Sequence, residues 1–335
     1  MRFGLFGGGK IGRLNPLGDS HGYKDFIEYI READRLGYAG LFVVEHHFTG
    51  VGQLSASLNL LTYLAAVTKH IRLGTAVVVL PWHNPALLAE QVATLDVLSG
   101  GRVDFGIGRG YRKAEFEQFC IPIEEAQERF DECLAFLLKA WTTEGRFSHH
   151  GKRWQYQNIV VEPEPTQRPH PPIWMAGGSP ESITRVANSN FNLLLDQVGS
   201  IALTFERLHT YLDAQEKQGR PRDAGRVGVA RALHVVRTEG ERRKALERRA
   251  ENLKNIGELA RRPGSTEALV DDGALIGTPA EISVKLQRLA EGGVDYILLT
   301  NAVITRESLL EFSEEILPHV SSPAVASPVP AVAAA

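Results

Sequence analysis

Two histidines stand side by side behind an acid in Glu45-His46-His47, near the front of a chain of 335 residues. Imidazole titrates near neutrality, so such a histidine can take up and return a proton at ordinary pH. The same residues serve equally well as structure, with a ring bonded to a neighbouring loop. Adjacent residues of a strand point to opposite faces, so only one of the two rings is expected to face a common site. A metal centre would ask for histidines two apart plus further ligands from other segments, and no such set is spaced along this chain.

Two other segments suit an anion. In Gly106-Ile107-Gly108-Arg109-Gly110-Tyr111 a lone guanidinium sits among glycines, where backbone N–H groups and the side chain can converge on one ligand. In Ala176-Gly177-Gly178-Ser179-Pro180-Glu181-Ser182, Ser179 reads as a helix N-cap and Pro180 as the first helical residue. A helix N-terminus with hydroxyls attracts phosphate. If the two segments end neighbouring strands, one phosphate can be held by both. A third motif, Gly7-Gly8-Gly9-Lys10-Ile11-Gly12, has the G-x-G-x-x-G form of a dinucleotide turn. That reading needs a helix starting on its last glycine, and Pro16 and Gly18 break one there. It is read as a loop after the first strand.

These segments must be positioned by a repeating scaffold. Strand-like runs at 2–6, 40–45, 71–80, 102–107, 172–176, 191–195, 226–236 and 294–300 each precede a helical pattern. Those helices are expected at 23–36, 55–68, 85–98, 123–141, 179–188, 202–218, 240–260 and 307–317, with one more at 278–291. Asn84 caps the third, and Gly100-Gly101 stop it. Eight strand–helix units without a linker predict a closed (β/α)₈ TIM barrel over residues 1–320, with its site on the loops leaving the strand C-termini. A hairpin insertion near 146–161, turning at Gly151-Lys152, and an irregular insertion near 261–276 interrupt the repeat. The Pro/Ala-rich tail 321–335 is expected to be disordered.

Composition narrows the class. Hydrophobic residues make up 43% of the chain, enough for a large core, and the net charge of −3 offers no footprint for nucleic acid. The two cysteines, Cys120 and Cys133, have no metal spacing, and a disulfide framework is not expected. There is no signal-peptide pattern and no apolar run long enough to span a membrane, so a cytoplasmic protein is expected.

The segments VVEHHFTGVG, IRLGTAVVVLPWHNPALLAEQVATLDVLSGGR, VDFGIGRGYRKAEF, PPIWMAGGSPES and LIGTPAEI together resemble the bacterial luciferase-like flavin-dependent monooxygenases, most densely over 41–119 and nearest in pattern to the luciferase α chain. The resemblance implies a (β/α)₈ barrel that binds reduced FMN (FMNH₂). It also implies O₂ as co-substrate, added at the flavin C4a position, and transfer of one oxygen atom to a small organic molecule. By motif, Arg109, Gly110, Tyr111, Ala176, Gly178, Ser179 and Ser182 would hold the FMN. Ala76 and Val77 would lie under the flavin ring, at a non-proline cis peptide bond. His46 would be the acid/base beside the flavin, supported by Glu45 and His47. Phe6, Phe48 and Trp82 could wall the pocket, while Trp174 is read as core packing.

Gly108 stands where the luciferase α chain has a cysteine, implying a larger pocket, and the shorter 261–276 segment, matching a mobile lid, argues against light emission. A separate NAD(P)H:flavin reductase would supply FMNH₂, and a homodimer is expected through the helices at 55–68 and 85–98. The alternatives are a deazaflavin- or FMN-dependent oxidoreductase transferring hydride on the same fold, and a non-catalytic flavin-binding partner subunit.

Overall fold

A computed structural model of the chain describes residues 1–8, 19–50, 53–260, 267–301 and 305–320. The strands are β1 (Arg2–Gly7), β2 (Gly40–Val43), β3 (Arg72–Thr75), β4 (Val78–Val79), β5 (Val103–Gly108), β6 (Phe147–His150), β7 (Gln155–Ile159), β8 (Ile173–Ala176), β9 (Asn192–Leu195), β10 (Val227–Val235), β11 (Leu275–Gly277) and β12 (Tyr296–Asn301). The helices are α1 (Asp19–Arg35), α2 (Ser57–Val67), α3 (Pro85–Ser99), α4 (Lys113–Gln118), α5 (Ala126–Thr142), α6 (Pro180–Asn188), α7 (Ile201–Lys217), α8 (Glu239–Ala260), α9 (Glu267–Asp272), α10 (Pro279–Glu291), α11 (Arg306–Glu311) and α12 (Leu317–Val320).

The parallel strands run β1-β2-β3-β5-β8-β9-β10-β12, and β12 pairs with β1 to close the barrel. Closure leaves these eight barrel strands without a free edge. Alternation along the strands divides the core into two layers. Phe42, Trp174, Leu194, Ala230, Tyr296 and Leu298 fill the barrel interior. A larger set, including Leu41, Leu73, Phe105, Leu193 and Val229, packs outward against the helices. The TIM barrel expected from the eight strand–helix units is therefore present. The hairpin is β6–β7, an antiparallel pair.

Helix ends follow local chemistry. The Asn84 side chain accepts from the N–H groups of Ala86 and Leu87 at 3.0 and 3.1 Å, and Gly100 closes α3 at φ +67°. Such a cap contributes about 1 kcal/mol.

Three expectations of continuous or irregular chain are revised. The run at 71–80 is broken into β3 and β4 at Ala76-Val77, whose peptide bond is cis. The loop expected after β5 contains α4. The insertion near 261–276 contains α9 and then β11, which pairs with the upper half of β10 through Leu233↔Leu275 to Val235↔Gly277. Residues 261–266 of that insertion, Gly9–Gly12 of the opening glycine motif and the 321–335 tail lie outside the described residues. Gly8 adopts φ +84° at the end of β1, and α1 begins at Asp19.

Candidate active site

The four sequence-predicted groups all lie at C-terminal ends of barrel strands, and those strands are consecutive. Glu45, His46 and His47 follow β2, and Ala76 and Val77 follow β3. Arg109, Gly110 and Tyr111 follow β5, and Ala176, Gly178, Ser179 and Ser182 end β8 and open α6. The β5–β8 register pairs Ile107 with Met175, so the two anion-type segments leave adjacent strands side by side.

On the α6 side, Ser179 and Ser182 form a reciprocal cap. Ser182 Oγ accepts from the backbone N–H groups of Gly178 and Ser179, each at 3.1 Å, and Ser182 N–H donates to Ser179 Oγ at 3.3 Å. The Glu181 carboxyl lies below its ordinary range because its own backbone N–H and the Ser179 hydroxyl donate to it. Three acceptors have thus gathered on one helix N-terminus, as its positive end favours. On the loop after the adjacent β5, Arg109 and Tyr111 are exposed, and no described group bonds the Arg109 guanidinium. Gly110, at φ +80°, lets the backbone turn there. A side chain would meet Val79 at 2.7 Å and Phe116 at 2.8 Å. The donor set of a guanidinium, a phenol, hydroxyls and a helix N-terminus fits a phosphate.

The two histidines lie beyond the end of β2, so strict strand alternation does not govern them. They are separated instead by two different carboxylates. His46 Nδ1 lies 3.1 Å from Glu115 Oε1, and the same oxygen accepts the backbone N–H of His47 at 2.9 Å. His47 Nε2 lies 3.1 Å from Glu45 Oε1. Glu45 Oε2 accepts both the Ser57 hydroxyl and the Ser57 N–H, the latter at 3.2 Å. Glu45 is therefore directed to His47 and to the start of α2, rather than to His46.

Both acids are buried, Glu45 with 7% and Glu115 with 4% of its surface exposed. Burial pushes the Glu45 carboxyl up. The bonds from His47 and Ser57 and the charge of His83 outweigh this and hold it below the ordinary range. Burial likewise raises Glu115, and the bonds from His46 and the His47 backbone, with the charges of His46 and Arg112, bring it below its ordinary value. Both are carboxylates at neutral pH.

The ring of His47 packs in an aromatic cluster. Its centroid lies 5.5 Å from Trp82 and 4.9 Å from Phe119, and Trp82 also contacts Phe116 at 5.4 Å. Phe48 stacks edge-on against Phe119 at 5.0 Å and is otherwise exposed. His83 Nε2 and Trp82 Nε1 are buried without a partner among the described residues. Phe6, Ala76 and Val77 lie against the interior cluster that holds Trp174, where Trp174 is core, as its sequence reading had it.

Gly108 does not enlarge the pocket. A Cβ there would lie 2.4 Å from Val77 Cγ2, so the cis segment already fills that space. The sequence reading missed Glu115, Phe116, Phe119 and His83. The first three sit in or just after the short α4, whose two acids, Glu115 and Glu117, were the only signal available.

The family model described as luciferase-like monooxygenase matches residues 1–296. The chain belongs to the luciferase-like monooxygenase family. It is 35% identical over 48% of its length to the oxygenase component of a flavin-dependent trigonelline monooxygenase of Acinetobacter baylyi, covering 44% of that protein. It is 28% identical to an FMNH₂-dependent dimethylsulfone monooxygenase of Pseudomonas putida, over 81% of this chain and 80% of that one. The crystal structure of monooxygenase RslO1 from Streptomyces bottropensis superposes with a TM-score of 0.82 at 26% identity, covering 96% of this chain and 100% of the other. The chain spans about half the length of the first curated relatives that it matches. Among the described residues of this luciferase-like barrel, no cluster of three or more His, Cys, Asp or Glu could hold a metal. No helix among them is long and apolar enough to cross a membrane.

Proposed function

We propose that this luciferase-like protein is the oxygenase component of a two-component monooxygenase that uses FMNH₂ and O₂. The observation that carries the reading is the shared rim. A phosphate-type donor set and a partly exposed histidine, His46, lie at the same end of one barrel on consecutive strands. Arg109, Tyr111, Ser179, Ser182 and the α6 N-terminus would hold the FMN phosphate, with Gly110, Ala176 and Gly178 giving backbone close approach. Ala76 and Val77 would lie under the flavin ring.

Bound FMNH₂ supplies two electrons, with which one atom of O₂ enters the substrate and the other leaves as water. The chain's own part is to bind, to move a proton and to exclude water. His46 Nε2, which no described group bonds, is the proton-accepting atom. Val77, Phe6 and the Trp82–Phe119 cluster keep the rim apolar, which protects a reactive oxygen species from hydrolytic loss. The trigonelline and dimethylsulfone relatives support a small organic substrate and a separate flavin reductase as partner.

The test is anaerobic titration with photoreduced FMN, then mixing with oxygenated buffer. Saturable binding and flavin reoxidation slower than that of free FMNH₂ are expected. Arg109→Ala should weaken binding by about 10- to 100-fold, the worth of a charged hydrogen bond. Binding of a reduced deazaflavin in place of FMNH₂ would make this a hydride-transfer enzyme. Binding with reoxidation at the free rate would make it a flavin-binding partner subunit.

A homodimer is part of the same proposal. Tyr63 on α2 and Leu87, Val97 and Leu98 on α3 expose large apolar surface on two helices packed together. An apolar patch of this kind marks an association surface. Leu98→Arg should convert a dimer in sedimentation velocity to a monomer. A wild-type monomer at micromolar concentration would overturn this part.

A further inference from the structure

We infer that Glu115 is the positioning residue of this site, holding the His46 ring so that Nδ1 carries a proton and Nε2 stays free to accept one. The inference rests on the monooxygenase reading for what His46 acts upon, but not for the geometry.

Three observations carry it. The carboxylate is buried and ionised, so it can only accept, and the nitrogen 3.1 Å from it must be the donor. The same Oε1 also accepts the His47 backbone N–H at 2.9 Å, which ties the carboxylate to the main chain beside the ring it orients. Finally, Glu115 is anchored away from β2. It sits on α4, whose next residue, Phe116, is buried against Trp82 at 5.4 Å and beneath Gly110, where a Cβ would meet its ring at 2.8 Å. The helix that carries Glu115 is therefore packed under the segment proposed to hold the flavin phosphate. One short piece of chain, from Arg109 to Phe119, bears both the anion donors and the group that orients the base.

The consequence is chemical. A proton leaving the reacting molecule goes to His46 Nε2, and the resulting imidazolium lies beside a carboxylate already bonded to its other nitrogen. Fixing one ring nitrogen selects the tautomer. His47 differs in its surroundings: its Nε2 faces Glu45, and the ring that carries its other nitrogen is packed among Phe48, Trp82 and Phe119.

The decisive experiment is long-range ¹H–¹⁵N correlation NMR on the ligand-free protein with labelled histidine, comparing wild type, Glu115→Gln and Glu115→Asp, with His46→Gln used to assign the signal. The expected result at slightly alkaline pH is His46 with its proton on Nδ1 in wild type. A mixed or Nε2–H population is expected in Glu115→Gln, with the wild-type tautomer largely restored in Glu115→Asp. A wild-type ring protonated on Nε2, or a tautomer unchanged in Glu115→Gln, overturns the inference. Because this readout needs neither flavin nor turnover, its failure is separate from failure of the monooxygenase reading. In turnover, Glu115→Gln should lower kcat by tenfold or more and leave FMNH₂ affinity within about twofold of wild type. A loss confined to FMNH₂ affinity would assign Glu115 to the flavin cradle instead.

Discussion

The neighbouring histidines make a controlled comparison within one molecule. Each ring is paired with one buried carboxylate at 3.1 Å, and the two acids are almost equally buried. What differs is everything else that the carboxylate touches. Glu45 spends its second oxygen on the hydroxyl and N–H of Ser57, the first residue of α2, and His47 fills the centre of an aromatic cluster. That pair joins the end of β2 to a helix. Glu115 binds one ring nitrogen and one backbone N–H, and leaves the other nitrogen of a partly exposed ring unbonded. A histidine–carboxylate pair is thus no evidence of catalysis in itself. What surrounds the free ring nitrogen decides: His47 is packed among aromatic rings and His46 is not.

The comparison breaks most visibly in turnover. His46→Ala should reduce oxygen transfer by about 10²- to 10⁴-fold, the usual weight of a positioned acid/base. Its unfolding free energy should fall by about 1 kcal/mol, because Glu115 loses one partner but keeps the His47 N–H, and no aromatic contact of the ring is lost. His47→Ala should show the reverse, with less than tenfold lost in rate and about 2–3 kcal/mol in stability, from lost aromatic packing and an unpaired buried acid. Steady-state assays with a flavin reductase, beside urea unfolding, check both. Equal losses of rate in the two variants would erase the distinction.

A smaller effect on turnover is expected one step further out. Glu45→Ala strands the Ser57 N–H and the His47 ring nitrogen, two donors at about 1–3 kcal/mol each, for a total of about 2–6 kcal/mol in stability. FMNH₂ affinity should stay within about threefold of wild type, since Glu45 faces α2 rather than the rim. A variant with wild-type stability and impaired flavin binding would move Glu45 into the site and sharpen the comparison in the opposite sense.

How much of this could be read from the chain depends on how local the cause is. The Asn84 and Ser179 caps, the Gly100 stop and the β6–β7 hairpin are set by neighbouring residues, and they appear where the sequence places them. The barrel was legible because eight periodic units admit few closed arrangements. The helix α4, at six residues, and the strand β11, at three, are too short to show a period, so a loop was expected in their place. The division of labour between His46 and His47 was not legible at all. It depends on a contact spanning 69 residues, between the end of β2 and α4. Gly108 misled for a related reason. A missing side chain reads as empty space, yet Val77 occupies that space.

The subtlest difference between the two pairs should appear in the pH dependence of stability. Next to Glu45 lies His83, and its buried Nε2 has no partner among the described residues. Burial lowers the His83 pKa, the charge of Glu45 raises it part of the way back, and His47 lowers it again, for a net fall. A histidine whose pKa is lower folded than unfolded binds fewer protons in the native state. Its contribution to stability is complete above the unfolded value of about 6.5 and drains away as pH falls toward the folded value. The carboxyls of Glu45 and Glu115 are lowered as well, so their contribution is lost only below the ordinary value of about 4.3.

Acid destabilisation should therefore come in two stages, and of the two pairs only the Glu45 side contributes to the first. His149 and His234, also lowered chiefly by burial, share that first stage. His83→Gln should make the slope of unfolding free energy between about pH 6.5 and pH 5 shallower without abolishing it. Glu45→Gln should do the opposite and steepen it, because removing the negative charge leaves nothing to offset the burial of His83. Glu115→Gln should leave that slope as it is. Urea unfolding at half-unit pH steps reads all three, and a slope that responds to Glu115 as strongly as to Glu45 would mean that the two pairs titrate as one network.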